Sequence, residues 1–196
     1  YALEVMSSSA QRGRALVSKL LTLSRTANLK PDRRAIDMTQ LIETVITDLS
    51  VIIRQAKAEV IVSLDGLMVT GDTQIVSEVF LNLLQNAIKF RQKDKLPVVR
   101  IFVAERTEDQ VTIAVKDNGI GFEKEHAKGI FNAFQRLHPR KQFEGTGMGL
   151  AIVAKSLEKL GWSIDTKSAP NKGATFYIHI PIRETAGGDD VAPGST

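Results

Sequence analysis

The chain has 196 residues, 43% hydrophobic and 24% charged, with 26 Lys+Arg against 22 Asp+Glu for a net charge of +4. That length holds one domain plus an extension and can bury a core, and no apolar run reaches the roughly 18 residues of a membrane span. The absence of Cys excludes disulfides, thiolate zinc sites and iron–sulfur clusters, and three scattered His disfavour a His-rich metal centre.

The chain opens at Tyr1 with neither an initiator Met nor a signal peptide, so it reads as part of something longer. From Leu3 to about Arg25 the residues Leu3, Met6, Ala10, Gly13, Val17, Leu20 and Ser24 recur three and four apart. This seam predicts a bundle or coiled-coil helix that either folds back on the chain or pairs with helices from elsewhere. Pro31 ends it. Leu41 to Ile53 predicts a second amphipathic helix. Glu59–Leu64 and Leu67–Thr70 predict a hairpin across Asp65-Gly66. Asp72 is a candidate N-cap for a third helix carrying Val76, Val79, Phe80, Leu83, Leu84 and Ile88. Two β-branched runs, Pro97–Arg106 and Gln110–Asp117, predict a hairpin closed by Thr107-Glu108-Asp109. After a loop-rich stretch to Thr146 come a helix from about Gly147 to Leu160 and strands at Trp162–Ser168 and Ala174–Pro181. The breaker-rich end, 185–196, reads as a disordered tail. The mixture predicts an α/β fold, a two-layer sandwich with an antiparallel or mixed sheet covered on one face by helices. Its domains are a bundle helix in 1–30, a globular domain in 31–184 and the tail.

The chemistry concentrates in three places. Gly119 and Gly121 follow a strand in Asp117-Asn-Gly-Ile-Gly-Phe122, and Gly145, Gly147 and Gly149 open a helix in Gly-Thr-Gly-Met-Gly-Leu150. Glycines let a backbone approach a ligand closely, and helix N-termini favour phosphate, although either cluster alone is equally a tight turn. The spacings match neither a P-loop nor a Rossmann fingerprint. On the third helix, Asn82 and Asn86 stand one turn apart, with Lys89 three positions on. Amides in an apolar stripe need partners, either neighbouring loops or a bound metal and phosphate.

Taken in order, these pieces resemble the catalytic ATP-binding domain of sensor histidine kinases, of the superfamily that holds gyrase, Hsp90 and MutL ATPases. Asn82-x-x-x-Asn86-x-x-Lys89-Phe90 resembles its N box, Asp117-x-Gly119-x-Gly121 its G1 box and Ile130-Phe131-x-x-Phe134 its F box. Gly145-Thr146-Gly147-Met-Gly149-Leu150 resembles its G2 box, and Gly173-Ala-Thr175-Phe176 its last glycine–threonine element. The likeness covers about Ile36 to Ile182, and the run Phe134-Gln-Arg-Leu-His138 resembles phytochrome-like and hybrid kinases.

The resemblance implies a Bergerat-type ATP fold and a set of roles. Asp117 would accept from the adenine amine, Gly119 and Gly121 would approach the base, and Thr175 would reach it through water. Asn86 would ligate Mg²⁺, while Lys89 and Arg136 would meet phosphate. The Gly145–Gly149 backbone would cradle the phosphates, and 123–143 would form a lid. Asn82 stands where ATP-hydrolysing relatives carry a Glu. An amide is no general base, so phosphotransfer to a protein is favoured over hydrolysis. His126, His138 and His179 lack the setting of a phosphoacceptor, which the resemblance puts on a helix upstream of Tyr1. The N-terminal seam then resembles the second helix of a dimerisation hairpin. The implied partners are ATP, a response-regulator receiver domain and a second copy, with no nucleic acid or membrane contact from this segment and a cytoplasmic location. A superfamily ATPase, an anti-sigma-like serine kinase and a nucleotide-binding module without turnover are the rivals.

Overall fold

The computed structural model describes residues 30–133, 135, 143 and 146–182. The seam helix, Phe134, Arg136, His138, Gly145 and the tail lie outside the described residues.

Asp72 caps the longest described helix, as its sequence position predicts: its Oδ1 accepts from the backbone N–H groups of Gln74 and Ile75. That helix, α3 (Thr73–Lys89), follows β1 (Arg34–Asp37), α1 (Met38–Asp48), α2 (Ser50–Ala56), β2 (Glu59–Ser63) and β3 (Met68–Gly71). After it come β4 (Val98–Arg106), β5 (Gln110–Asp117), a 3₁₀ turn (Lys124–His126), α4 (Gly149–Lys159), β6 (Ser163–Ser168) and β7 (Ala174–Pro181).

Five strands form one mixed sheet in the order β2-β4-β5-β7-β6, with β2 parallel to β4 and the other pairs antiparallel. Alternation sorts β7 cleanly, with Ala174, Phe176, Ile178 and Ile180 buried and the residues between them half-exposed. The buried rows of β4, β5 and β7 meet Phe80, Leu83 and Leu84 of α3, Val153 and Leu157 of α4, and Ile42 and Val45 of α1 in one core. Burying each such side chain contributes about 1.5–3 kcal/mol. This is the two-layer α/β sandwich that the pattern predicts.

Two expectations are corrected. Leu41 to Ile53 is not one helix, because the chain kinks at buried Leu49, whose φ and ψ of −91° and 5° leave the helical region. The kink leaves Ile52 on the surface, 41% exposed. The hairpin across Asp65-Gly66 does not form either, although its turn does. Asp65 and Gly66 both take positive φ (48° and 68°), and Leu67 N–H donates to the Leu64 carbonyl at 2.9 Å. Leu64 and Leu67 then plunge into the core, 2% and 4% exposed, and the flanking strands part. β2 joins β4, while β3 pairs with β1 in a separate two-stranded sheet. Strand β1 has no counterpart among the predicted elements, because it is four residues long and only Ile36 among them is buried.

Candidate functional site

Along α3, Asn82, Gln85, Asn86 and Lys89 fall three and four residues apart and share a face. That face is one wall of a cavity of about 280 Å³. The other walls are the loop after β5 (Asp117, Ile120, Gly121, Phe122), Ile130, the turn into α4 (Thr146, Gly147, Gly149, Leu150), and Ala174 and Phe176 of β7. Elements distant in sequence thus bring together the residues singled out above, and Gln85, Ile120, Gln135, Phe143 and Ala174 join them. Of these, Gln85 was recoverable from the same helical spacing as its neighbours.

One carboxylate dominates the apolar end. Asp117 closes β5 and is 9% exposed. Its Oδ1 accepts from Gly119 N–H at 2.8 Å and Ala174 N–H at 3.1 Å, and Oδ2 has no donor among the described residues. Burial pushes its pKa above the ordinary Asp value, and the two N–H bonds pull the other way. A half-satisfied buried carboxylate in an apolar pocket is built to receive a donor.

The amides face the other part of the cavity. Asn82 is 9% exposed and spends its Nδ2 on the Glu78 carbonyl of its own helix, so it caps no neighbouring loop. Among the described residues Asn86 makes no side-chain hydrogen bond. A Cβ built on Gly149 would lie 3.2 Å from Asn82 Oδ1 and 3.7 Å from Asn86 Nδ2, so the start of α4 faces both amides across the cavity. Helix α4 starts without a side-chain cap. In the preceding turn the Thr146 hydroxyl is buried and unpartnered. Lys89 Nζ stands 4.4 Å over the ring of Phe90, which packs against Phe143 with centroids 5.1 Å apart.

The glycines of the first loop act differently from expectation. A Cβ on Gly119 would stand 2.5 Å from the Phe90 carbonyl oxygen, and one on Gly121 (φ +60°) 2.1 Å from that of Ala169. Their bareness serves the approach of chain to chain, and only Gly121 also lines the cavity. Thr175 is a correction. It lies between Ala174 and Phe176 on β7, so strand alternation turns it to the opposite face of the sheet, and it does not line the cavity. Its carbonyl accepts from Thr166 instead. Of the F box, Ile130 lines the cavity and Phe131 meets Phe176 edge-on at 6.5 Å. His126 is exposed, and His179 is held between Asp165 (2.9 Å) and Thr112 (3.0 Å), away from the cavity.

The family model described as "Histidine kinase-, DNA gyrase B-, and HSP90-like ATPase" matches residues 71–184, more than half of the chain. The chain belongs to this family. It is similar to the phytochrome-like protein Cph1 of Synechocystis, 36% identical over 167 residues that make up 85% of this chain and 22% of that one. It is also similar to the sensor histidine kinase ZraS of Klebsiella oxytoca, 32% identical over 91% of this chain and 37% of the relative. Among solved structures, the nucleotide-free catalytic domain of the histidine kinase ThkA superposes with a TM-score of 0.65 at 27% identity, covering 77% of this chain and 96% of that domain. The chain therefore carries an ATP-binding catalytic domain of the sensor histidine kinase type and spans well under half of these full-length relatives. Among the described residues no helix is long and apolar enough to cross a membrane.

Proposed function

We propose that this domain binds Mg²⁺·ATP and, in the intact protein, transfers the γ-phosphoryl group to a histidine for relay to a response-regulator aspartate. The observation that carries the reading is the division of polar groups within one cavity. Among the described lining residues, Asp117 is the one carboxylate and Lys89 the one cation. Asp117, with a vacant Oδ2 among apolar walls, suits the exocyclic amine of adenine, a donor that guanine does not offer at that position. Asn82, Asn86, Lys89 and the turn into α4 suit the phosphates. The buried Thr146 hydroxyl, without a partner among the described residues, and the Asn86 amide on the facing wall are groups that a phosphate and its metal would satisfy.

Mg²⁺ would neutralise charge on the phosphates. Among the described residues no three His, Asp or Glu side chains converge on a metal site, so the ion would keep phosphate and water oxygens around the Asn86 Oδ1. Asn82 itself is an amide and cannot serve as general base, which favours transfer to a protein acceptor over hydrolysis. The chain's contribution is then positioning and electrostatic stabilisation. Arg136 and the Gly145 end of the glycine loop would add phosphate contacts, and Phe134 would join the lid. Residues 1–30 would pair with the acceptor helix and a second copy, in a cytoplasmic setting.

The test is γ-labelled ATP with Mg²⁺. The intact protein should acquire acid-labile, base-stable label, as phosphohistidine does, and the present chain alone should acquire little. Release of inorganic phosphate without protein label would overturn the kinase reading, and strong label on the present chain would overturn the placing of the acceptor.

A further inference from the structure

Gln92 lies just beyond α3 and does not line the cavity. Its Nε2 stands within donor distance of three backbone carbonyls, which share its two N–H bonds: Asn118 at 2.8 Å, Gly119 at 2.9 Å and Asn171 at 3.1 Å. Three acceptors around one terminus fix the orientation of the amide, since an oxygen there would face only oxygens. The contacts gain meaning from the peptide units they grip. The Asn118 carbonyl and the Gly119 N–H are two sides of one planar unit, and that N–H donates to Asp117 Oδ1 at 2.8 Å. The Gly119 carbonyl and the Ile120 N–H are the next unit, and that N–H donates to the Phe90 carbonyl at the end of α3. The third acceptor belongs to the turn before β7, whose Ala174 N–H supplies the other bond to Asp117.

We propose that Gln92 is a positioning residue for base selection: it clamps the peptide planes that orient the Asp117 carboxylate and ties them to the helix carrying Asn82 and Asn86. The proposal rests on the adenine reading above and adds a determinant that never touches the ligand. Without the clamp, the loop keeps the Asn118 side-chain bonds to Val98 and Leu96 and the backbone bonds at Ile120, but the two peptide planes lose their shared donor and the aim of Asp117 at the base loosens. The phosphate contacts on α3 remain.

The experiment compares ATP with ITP, whose base carries an oxo group where adenine carries the amine, by calorimetric titration with Mg²⁺. In Gln92→Leu the preference for ATP over ITP should fall roughly tenfold, the scale of one well-placed hydrogen bond, with ITP affinity nearly unchanged. Gln92→Lys, which keeps N–H donors facing the three carbonyls, should retain the preference. Gln92→Glu repeats the test at constant size without the donors, should the Leu variant fail to fold. In an Asp117→Asn background the Gln92 change should cost nothing further, because the two act through one carboxylate. Parallel loss of ATP and ITP, or an unchanged ratio, would overturn the positioning role. A wild-type chain that binds ATP no better than ITP would instead overturn the adenine reading itself.

Discussion

Replacing Asp117 by Asn separates recognition from folding, because the two consequences run in opposite directions. Asn keeps an Oδ1 that can accept from Gly119 and Ala174, so the loop geometry survives. What changes is the free atom: a carboxylate oxygen becomes an amide N–H₂ facing the donor it should receive. Losing a charge-assisted bond and leaving the ligand's amine unpaired together cost about 3–5 kcal/mol. ATP affinity should therefore fall between about a hundred-fold and a few thousand-fold. Stability should not fall. Burial raises the Asp117 pKa, so the ionised form is held less favourably in the folded domain than in the open chain, and a neutral isostere relieves that penalty. Calorimetry with ATP, paired with a thermal melt of the apo domain, reads both. Undiminished affinity with a normal melt would refute the adenine assignment. A melting temperature several degrees below wild type would refute the account of the carboxylate's burial.

Three further outcomes are expected. Asn86→Ala should weaken ATP binding with Mg²⁺ present and leave it nearly unchanged in EDTA, so equal losses in the two titrations would remove the metal role. Gly121→Ala should destabilise the domain by about 3 kcal/mol or more in denaturant unfolding, since φ is +60° and the new Cβ would meet the Ala169 carbonyl oxygen at 2.1 Å; a change below about 1 kcal/mol would mean that the loop yields easily. The pH profile of ATP affinity should separate wild type from Asp117→Asn. The folded-state pKa of Asp117 lies above the unfolded one, so this group favours the apo fold as pH falls through it, while protonation removes the acceptor for adenine. Wild-type affinity should thus decline on acidification from above the ordinary Asp value of about 3.9, and the variant should lack that component.

Local signals carried most of the fold, and the failures came where tertiary partners decide. Asp72, with an apolar stripe behind it, announces α3 because a cap and a 3.6-residue period act within one turn. The β7 limits were legible from strict alternation between breakers. The Asp65-Gly66 turn was legible as well, but turn chemistry fixes only four residues, and the partners of β2 and β3 were settled by where Leu64 and Leu67 could be buried. In the site, the helical face of Asn82, Asn86 and Lys89 follows from spacing alone. Ala174 was missed and Thr175 chosen because a one-residue shift along a strand exchanges faces, and nothing in the residue types reveals which face meets the cavity. Gln92 gave no signal, since a lone glutamine after a helix is ordinary until the carbonyls around it are seen.

The glycine-rich motif around Asp117 therefore has a physical basis different from that of a phosphate-binding loop. Gly119 packs its Cα under the Phe90 carbonyl, Gly121 under that of Ala169, and Gly173, at φ +79°, against the Asp117 carbonyl, where a Cβ would stand at 2.0 Å. The loop after β5 and the turn into β7 are held close enough that two N–H groups, those of Gly119 and Ala174, converge on one carboxylate, which then needs no side-chain donor to stay ionisable in an apolar setting. Any added methylene must push one of those backbones away and loosen the Asp117 bonds with it. The glycines act on the ligand through Asp117, as Gln92 does. At the other end of the cavity the relation reverses: a Cβ on Gly149 would meet side-chain atoms of Asn82 and Asn86 at 3.2 and 3.7 Å and no backbone, and its own first-turn backbone remains available to an anion. A methyl group at Gly149 should consequently spare the fold and act at the phosphates, whereas one at Gly121 or Gly173 acts on the fold first.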